Sequence, residues 1–113
     1  RLDFQVFPRQ NQQEIPKNQY TKWFDCDKIN CELTVRTRRS GDYMAVSQSG
    51  GHKKLTRCMI NDKIPGELRG KLPLVVDGNE VLWIVGGRIN ERYKITSETG
   101  RVLEITYQGG NVQ

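Results

Sequence analysis

Two apolar runs joined by Asp77-Gly78-Asn79 limit what this chain can fold into more than any other stretch. Leu72–Val76 is short and rich in β-branched residues. Glu80–Val85, read as an extended strand, carries Leu82 and Ile84 on one side and Val81, Trp83 and Val85 on the other. A strand apolar on both faces must be covered on both. The Asp-Gly-Asn link holds residues that accept positive φ or bond their own backbone, so the runs pair as a β-hairpin. Gly86-Gly87 stops the second strand, and Arg88 follows directly. Trp83 lies in the most apolar part of the run, which assigns it to the core rather than to a stacking surface.

Around this hairpin the chain reads as short strands and one helical pair. Leu2–Val6 alternates apolar and polar, as a half-buried strand does, and Pro8 ends it. Residues 9–18 form a polar loop, Tyr20–Phe24 packs its aromatics, and residues 25–30 turn. Glu32–Arg39 is the next strand. Leu33, Val35 and Thr37 face one way, and Thr34, Arg36 and Arg38 the other, which sets Arg36 and Arg38 side by side. Arg39–Asp42 turns, Tyr43–Val46 is a short strand and Ser47–Gly51 is flexible. His52–Asp62 reads as a helix with Leu55, Cys58 and Met59 as its buried stripe. Pro65 opens a second short helix reaching Leu72, with Leu68 inward and with Gly66 and Gly70 weakening it. Ile89–Ile95 continues as loop and strand, Glu98-Thr99-Gly100 turns, and Arg101–Tyr107 alternates again. Gln108–Gln113 is expected to be a disordered tail. The pattern predicts an α+β fold, a small β-sandwich-like sheet core with one short helical pair.

With 113 residues the chain is sized for one core. No run approaches the roughly 20 apolar residues of a membrane span. The opening Arg1-Leu2-Asp3 has no signal-peptide character and no initiator Met, so the chain reads as a piece of a longer protein. Cys26, Cys31 and Cys58 lack CxxC spacing and, with His52 the only histidine, do not make a zinc site; they read as free thiols of a reducing cytosol. Charge is uneven. Residues 36–71 hold nine Lys/Arg against three Asp/Glu, whereas residues 1–35 hold five against five and residues 72–113 four against five. The middle third therefore holds all the excess positive charge, which suits a polyanion-facing surface.

Two constellations fit that surface. Arg36, Arg38 and Arg39, with the Gly41 N–H, would match phosphate oxygens, since guanidinium forks fit phosphate geometry. The plainer reading is a solvated strand edge with one arginine paired to Asp42. Gly50-Gly51 before His52-Lys53-Lys54 offers free N–H groups and two ammonium groups at a helix start; the plainer reading is a loop before a surface helix. Ser49-Gly50-Gly51 echoes the loop of ATP pyrophosphatases, but His52 and Lys53 stand where that loop needs Asp and Ser, which excludes a nucleotide site. His52 has no nucleophile arranged beside it, so a ribonuclease built on it is the weakest reading.

The residues also carry a family resemblance. Leu72, Pro73, Asp77, Gly78, Leu82, Trp83, Gly86, Arg88, Ile89, Tyr93, Lys94 and Thr96 match the run that closes the C-terminal domain of bacterial tRNA(Ile)-lysidine synthases. Upstream, Arg36, Arg38, Arg39, Gly41 and Asp42, then Gly50, Gly51, Lys53, Lys54 and Leu55, then Lys63, Ile64, Pro65 and Arg69 follow the family order. The resemblance covers roughly Trp23 to Ile105. It departs at Gly66 and Gly70, where the family favours a basic residue and an Asp, a departure that bears on the charge and stability of the second helix.

The resemblance implies a cytoplasmic, tRNA-binding C-terminal domain, similar in fold to a β-sandwich of the phenylalanyl-tRNA synthetase β subunit. The parent enzyme is an ATP-dependent ligase joining lysine to the wobble cytidine of one isoleucine tRNA. ATP, with Mg, belongs to its N-terminal catalytic domain, so the fragment alone is expected to be non-catalytic. On this reading residues 1–22 are an N-terminal strand and linker, 23–107 the domain and 108–113 the tail. The partners are the tRNA acceptor arm, the catalytic domain and a second copy of the chain; no membrane is involved. Candidate nucleic-acid contacts are Arg36, Arg38, Arg39, Lys53, Lys54, Arg57, Arg69 and Arg88. No catalytic, cofactor or metal residue is assigned. The alternative is a protein-interaction module for dimerisation or for docking on the catalytic domain.

Overall fold

The computed structural model describes residues 1–10, 13–29, 32–47 and 51–108. Cys31, the Gly50 half of the glycine pair, most of the Ser47–Gly51 segment and the tail beyond Gln108 lie outside the described residues. The strands are β1 (Leu2–Pro8), β2 (Thr21–Asp25), β3 (Leu33–Arg36), β4 (Tyr43–Ala45), β5 (His52–Lys54), β6 (Leu74–Asp77), β7 (Glu80–Ile84) and β8 (Arg101–Tyr107). Helices α1 (Leu55–Asn61) and α2 (Gly66–Arg69) lie between β5 and β6, and short 3-10 turns span Cys26–Lys28 and Glu91–Tyr93. Sheets with one short helical pair make this an α+β protein. The chain divides into two compact units, Arg1–Ile29 with Tyr93–Gln113, and Asn30–Arg92.

The first unit is a three-stranded antiparallel sheet in the order β1-β8-β2. Phe24 on β2 and Val102, Leu103 and Ile105 on the central strand β8 are buried. Trp23 donates its indole N–H to Glu104 at 2.9 Å and meets Phe7 edge-on, 5.1 Å between ring centres. The Leu2–Val6 strand is present, but it runs through Pro8, and its alternation does not bury Phe4 or Val6, which are 41% and 54% exposed. The reason is position: β1 is an edge strand, where proline is tolerated and one flank stays open. Buried Asp25 accepts from the Thr99 hydroxyl at 3.0 Å. Asp27 accepts from the Gly100 N–H at 2.8 Å, which holds its carboxyl below the usual range.

The second unit is a five-stranded sheet in the order β3-β6-β7-β4-β5. All its pairings are antiparallel except β4 with β7. The hairpin β6–β7 is buried along its whole length, as a strand pair apolar on both faces requires. Its faces differ from strict alternation. The register shifts between Val75 and Val76, so that Val76 opposes Val81 and Val75 opposes Trp83. This bulge puts Val81 and Ile84 in one cluster with Met44, Leu55, Cys58, Met59, Leu74 and Val76. Trp83 is fully buried outside that cluster.

Helix α1 keeps the predicted stripe of Leu55, Cys58 and Met59, and burial pushes the Cys58 thiol pKa up, keeping it protonated. The helix does not start at His52. His52–Lys54 is a strand, because its backbone pairs with β4 and the helical face begins only at Leu55. Helix α1 ends in a Schellman pattern: Ile64 N–H bonds the Met59 carbonyl and Lys63 N–H that of Ile60, with Lys63 at φ 60° where glycine is usual. In α2, Leu68 is 43% exposed rather than inward, since one helical turn ending at Arg69 is too short to carry it over the core. After Gly86 (φ 84°) the chain doubles back on β7: Ile84 N–H bonds the Arg88 carbonyl and Asn90 N–H that of Leu82. Ile89 makes one bridge to Trp83, and a 3-10 turn follows; no strand forms at Ile95. Buried Asn90 donates to Glu80 at 3.2 Å and to the Val81 carbonyl at 2.8 Å.

Candidate nucleic-acid interface

The site is built around a buried acid. The Asp42 carboxylate, its side chain 1% exposed, is gripped by the Arg36 fork at 2.8 Å on each oxygen. One oxygen also accepts from the Asn79 amide at 3.2 Å, and the other from the Arg39 backbone N–H at 2.8 Å. Arg36 further donates to the Gly78 and Thr37 carbonyls. The Asp42 carbonyl accepts from the Leu55 N–H that starts α1, and Tyr43 N–H bonds the Asn79 carbonyl. Thus the end of β3, the 39–42 turn, the tip of the β6–β7 hairpin and the start of α1 are tied at one residue. Gly41, at φ 92°, lets the turn close. Burial raises the Asp42 pKa, but the Arg36, Arg39 and Asn79 donors outweigh it, leaving the carboxyl below its ordinary range. The same pairing pushes Arg36 up.

Outside this knot lies an open groove of about 510 Å³, lined by Arg38, Arg39, Ser40, Gly41, Tyr43, His52 and Lys54 among others. Strand pairing explains the lining. Tyr43 opposes Lys54 and Ala45 opposes His52, so His52 and Lys54 share the Tyr43 side of the β4–β5 ribbon, and Lys53 falls on the opposite side with Met44. The rings of Tyr43 and His52 lie 5.0 Å apart. His52, Lys53 and Lys54 are all exposed. Lysines on an edge strand also blunt sheet-to-sheet association, a role that needs no ligand.

The predicted contacts therefore separate. Arg38, Arg39 and Lys54 converge on the groove; no ion pair engages them among the described residues. Arg36 does not stand beside Arg38, because β3 ends at Arg36 and its guanidinium turns in to Asp42. The pairing with one arginine that the sequence offered as the plainer reading is what forms. Lys53 and Arg57 are exposed but do not line the groove. Lys53 and Lys54 sit on a strand, not at a helix N-terminus. Arg88 holds Asp62 with two bonds of 2.6 and 2.8 Å, and Arg69 donates to the Ile64 carbonyl at 2.9 Å. Tyr43 and Asn79 were not singled out in the sequence as parts of the site. Asn79 had a signal, its place in the hairpin turn; Tyr43 had only its place after Gly41-Asp42. No group of metal-ligating side chains forms among the described residues, and no helix among them is long and apolar enough to cross a membrane.

Sheet, short helical pair and cationic groove define a small α+β domain with an anion-compatible surface. Residues 33–105 match the profile of the family described as the TilS substrate C-terminal domain, and the chain belongs to that family. It is 43% identical over 94 residues to the tRNA(Ile)-lysidine synthase of Caldanaerobacter subterraneus subsp. tengcongensis, covering 83% of this chain and 20% of that protein. To the Clostridium tetani tRNA(Ile)-lysidine synthase it is 42% identical over 93 residues, covering 82% of this chain and 20% of that protein. The crystal structure of a TilS C-terminal domain superposes with a TM-score of 0.73 at 26% identity, covering 98% of this chain and 85% of that one. The chain spans about a fifth of the length of these curated relatives.

Proposed function

We propose that this chain is the substrate-recognition domain of a cytoplasmic tRNA(Ile)-lysidine synthase and that it binds the acceptor arm of the tRNA through the Arg38–Arg39–Lys54 groove. The observation that carries the reading is the convergence of three uncommitted cations, two from the loop after β3 and one from the end of β5, on one concave surface. Phosphate oxygens are the acceptors that guanidinium and ammonium groups in such a groove fit. Family membership sets the context, since the relatives are named for a tRNA. In this reading ATP and magnesium are handled by the N-terminal catalytic domain, and these residues hold and orient the RNA. Lys53, Arg57, Arg69 and Arg88, on other parts of the same unit, serve as peripheral charge.

The test is a titration of the 113-residue chain with tRNA at several salt concentrations. Each phosphate contact contributes roughly 0.7–0.9 to the log–log slope. Replacing Arg38, Arg39 and Lys54 with Ala is expected to weaken binding and flatten the slope by about 2 units, with the fold intact. An unchanged slope would remove the groove as the contact. Absence of any salt-dependent binding, with altered self-association in the triple variant, would instead favour a protein-interaction module.

A further inference from the structure

The groove holds more than cations. Its wall carries two rings, Tyr43 and His52, 5.0 Å apart and tilted by 46°. His52 lies on the edge strand of the five-stranded sheet and is exposed. A duplex presents its phosphates on a convex surface with its bases stacked inside, so aromatic rings in a recess add nothing to duplex binding. Unpaired nucleotides differ: their bases splay out and stack on aromatic faces, while cations hold the backbone. A volume of about 510 Å³ is of small-ligand size. Asp42 in the lining does not oppose a phosphate, because its carboxylate is fully engaged by Arg36, Asn79 and the Arg39 N–H.

We propose that the groove is a site for an unpaired nucleotide of an RNA strand end, with the base stacked on the His52–Tyr43 wall and its phosphates held by Arg38, Arg39 and Lys54. This rests on the RNA-binding reading above and narrows the contact to an unpaired nucleotide. Tyr43 is held from behind: its N–H bonds the Asn79 carbonyl and its strand pairs with β5. The Tyr43 half of the platform is therefore preformed.

The experiment compares two RNA hairpins by fluorescence anisotropy with the 113-residue chain. They share one stem and loop; one ends blunt and the other carries a short single-stranded 3′ overhang. The overhang is expected to tighten binding by about fivefold or more, the range of one stacked base. His52→Ala should abolish that gain, so that the two hairpins bind alike. His52→Phe should keep the gain, which separates stacking from charge. Thermal melts confirm that both variants fold, as an exposed strand position allows. Equal binding of the two hairpins by the wild type, with a normal salt slope, would overturn the unpaired-nucleotide site and leave the RNA-binding reading standing. No binding of either hairpin would overturn both. Loss of the gain in His52→Phe as well would show that His52 acts by charge or hydrogen bonding and would refute the stacking platform.

Discussion

Arg36→Ala is expected to cost stability before it costs RNA affinity. In the wild type the Asp42 carboxylate is 1% exposed and takes two 2.8 Å bonds from the Arg36 fork. Truncation leaves that carboxylate buried with only the Arg39 N–H and the Asn79 amide, while the exposed Gly78 and Thr37 carbonyls of Arg36's other bonds pass to water. Removing one partner of a buried pair costs about 3–5 kcal/mol. Two donors remain on Asp42, so the lower end, about 3 kcal/mol, is the expected loss. That is a large part of the 5–15 kcal/mol a domain of ordinary stability holds. Urea unfolding of wild type and variant measures it, with Arg38→Ala as a control expected to move by less than about 0.5 kcal/mol. A loss below about 1 kcal/mol for Arg36→Ala would mean that the pair behaves as a solvent-exposed one and would refute the buried-knot argument.

The same carboxylate sets an acid limit. Its folded pKa is depressed, so its stabilisation is present above the unfolded carboxyl range near pH 4 and is lost as pH falls through the lower folded value; Asp42→Asn should flatten that limb in pH-dependent unfolding, and an unchanged limb would contradict it. Trp83→Ala, at a fully buried position, should cost about 3–5 kcal/mol by urea unfolding, and an unchanged midpoint would mean that the ring is solvated. Lys63→Gly relieves a side chain held at φ 60° and is expected to stabilise by about 1 kcal/mol; a destabilised variant would show that the lysine side chain makes up for its backbone.

What was legible in the sequence follows the range of the interactions involved. The β6–β7 hairpin and the α1 stripe are local, set by periodicity and by Asp77-Gly78-Asn79, and both form, although the hairpin's faces do not keep strict alternation. The His52–Lys54 strand was not legible. Its three residues continue a helical pattern on paper, and only pairing with β4 makes them extended. The bulge at Val75/Val76 likewise leaves no trace in composition, yet it reassigns Val81 to the face of Ile84. For the groove, the cluster of positive charge was legible, but which cations stay free was not. Arg36, Arg38 and Arg39 look equivalent in a string. One is spent on Asp42 because β3 ends there and the turn returns the acid to it.

The Asp42 knot also bears on transplantation. The groove's cations belong to strand ends and a tight turn whose shape is fixed by an acid and by an asparagine 37 positions away. A graft that copied Arg38, Arg39 and Lys54 onto another scaffold would carry the charge without the contour. The smallest portable unit is the turn with Arg36, Asp42 and the tip of the hairpin that supplies Asn79. In a lineage under drift, substitutions at those three positions would be selected with the groove's cations, because they set its contour.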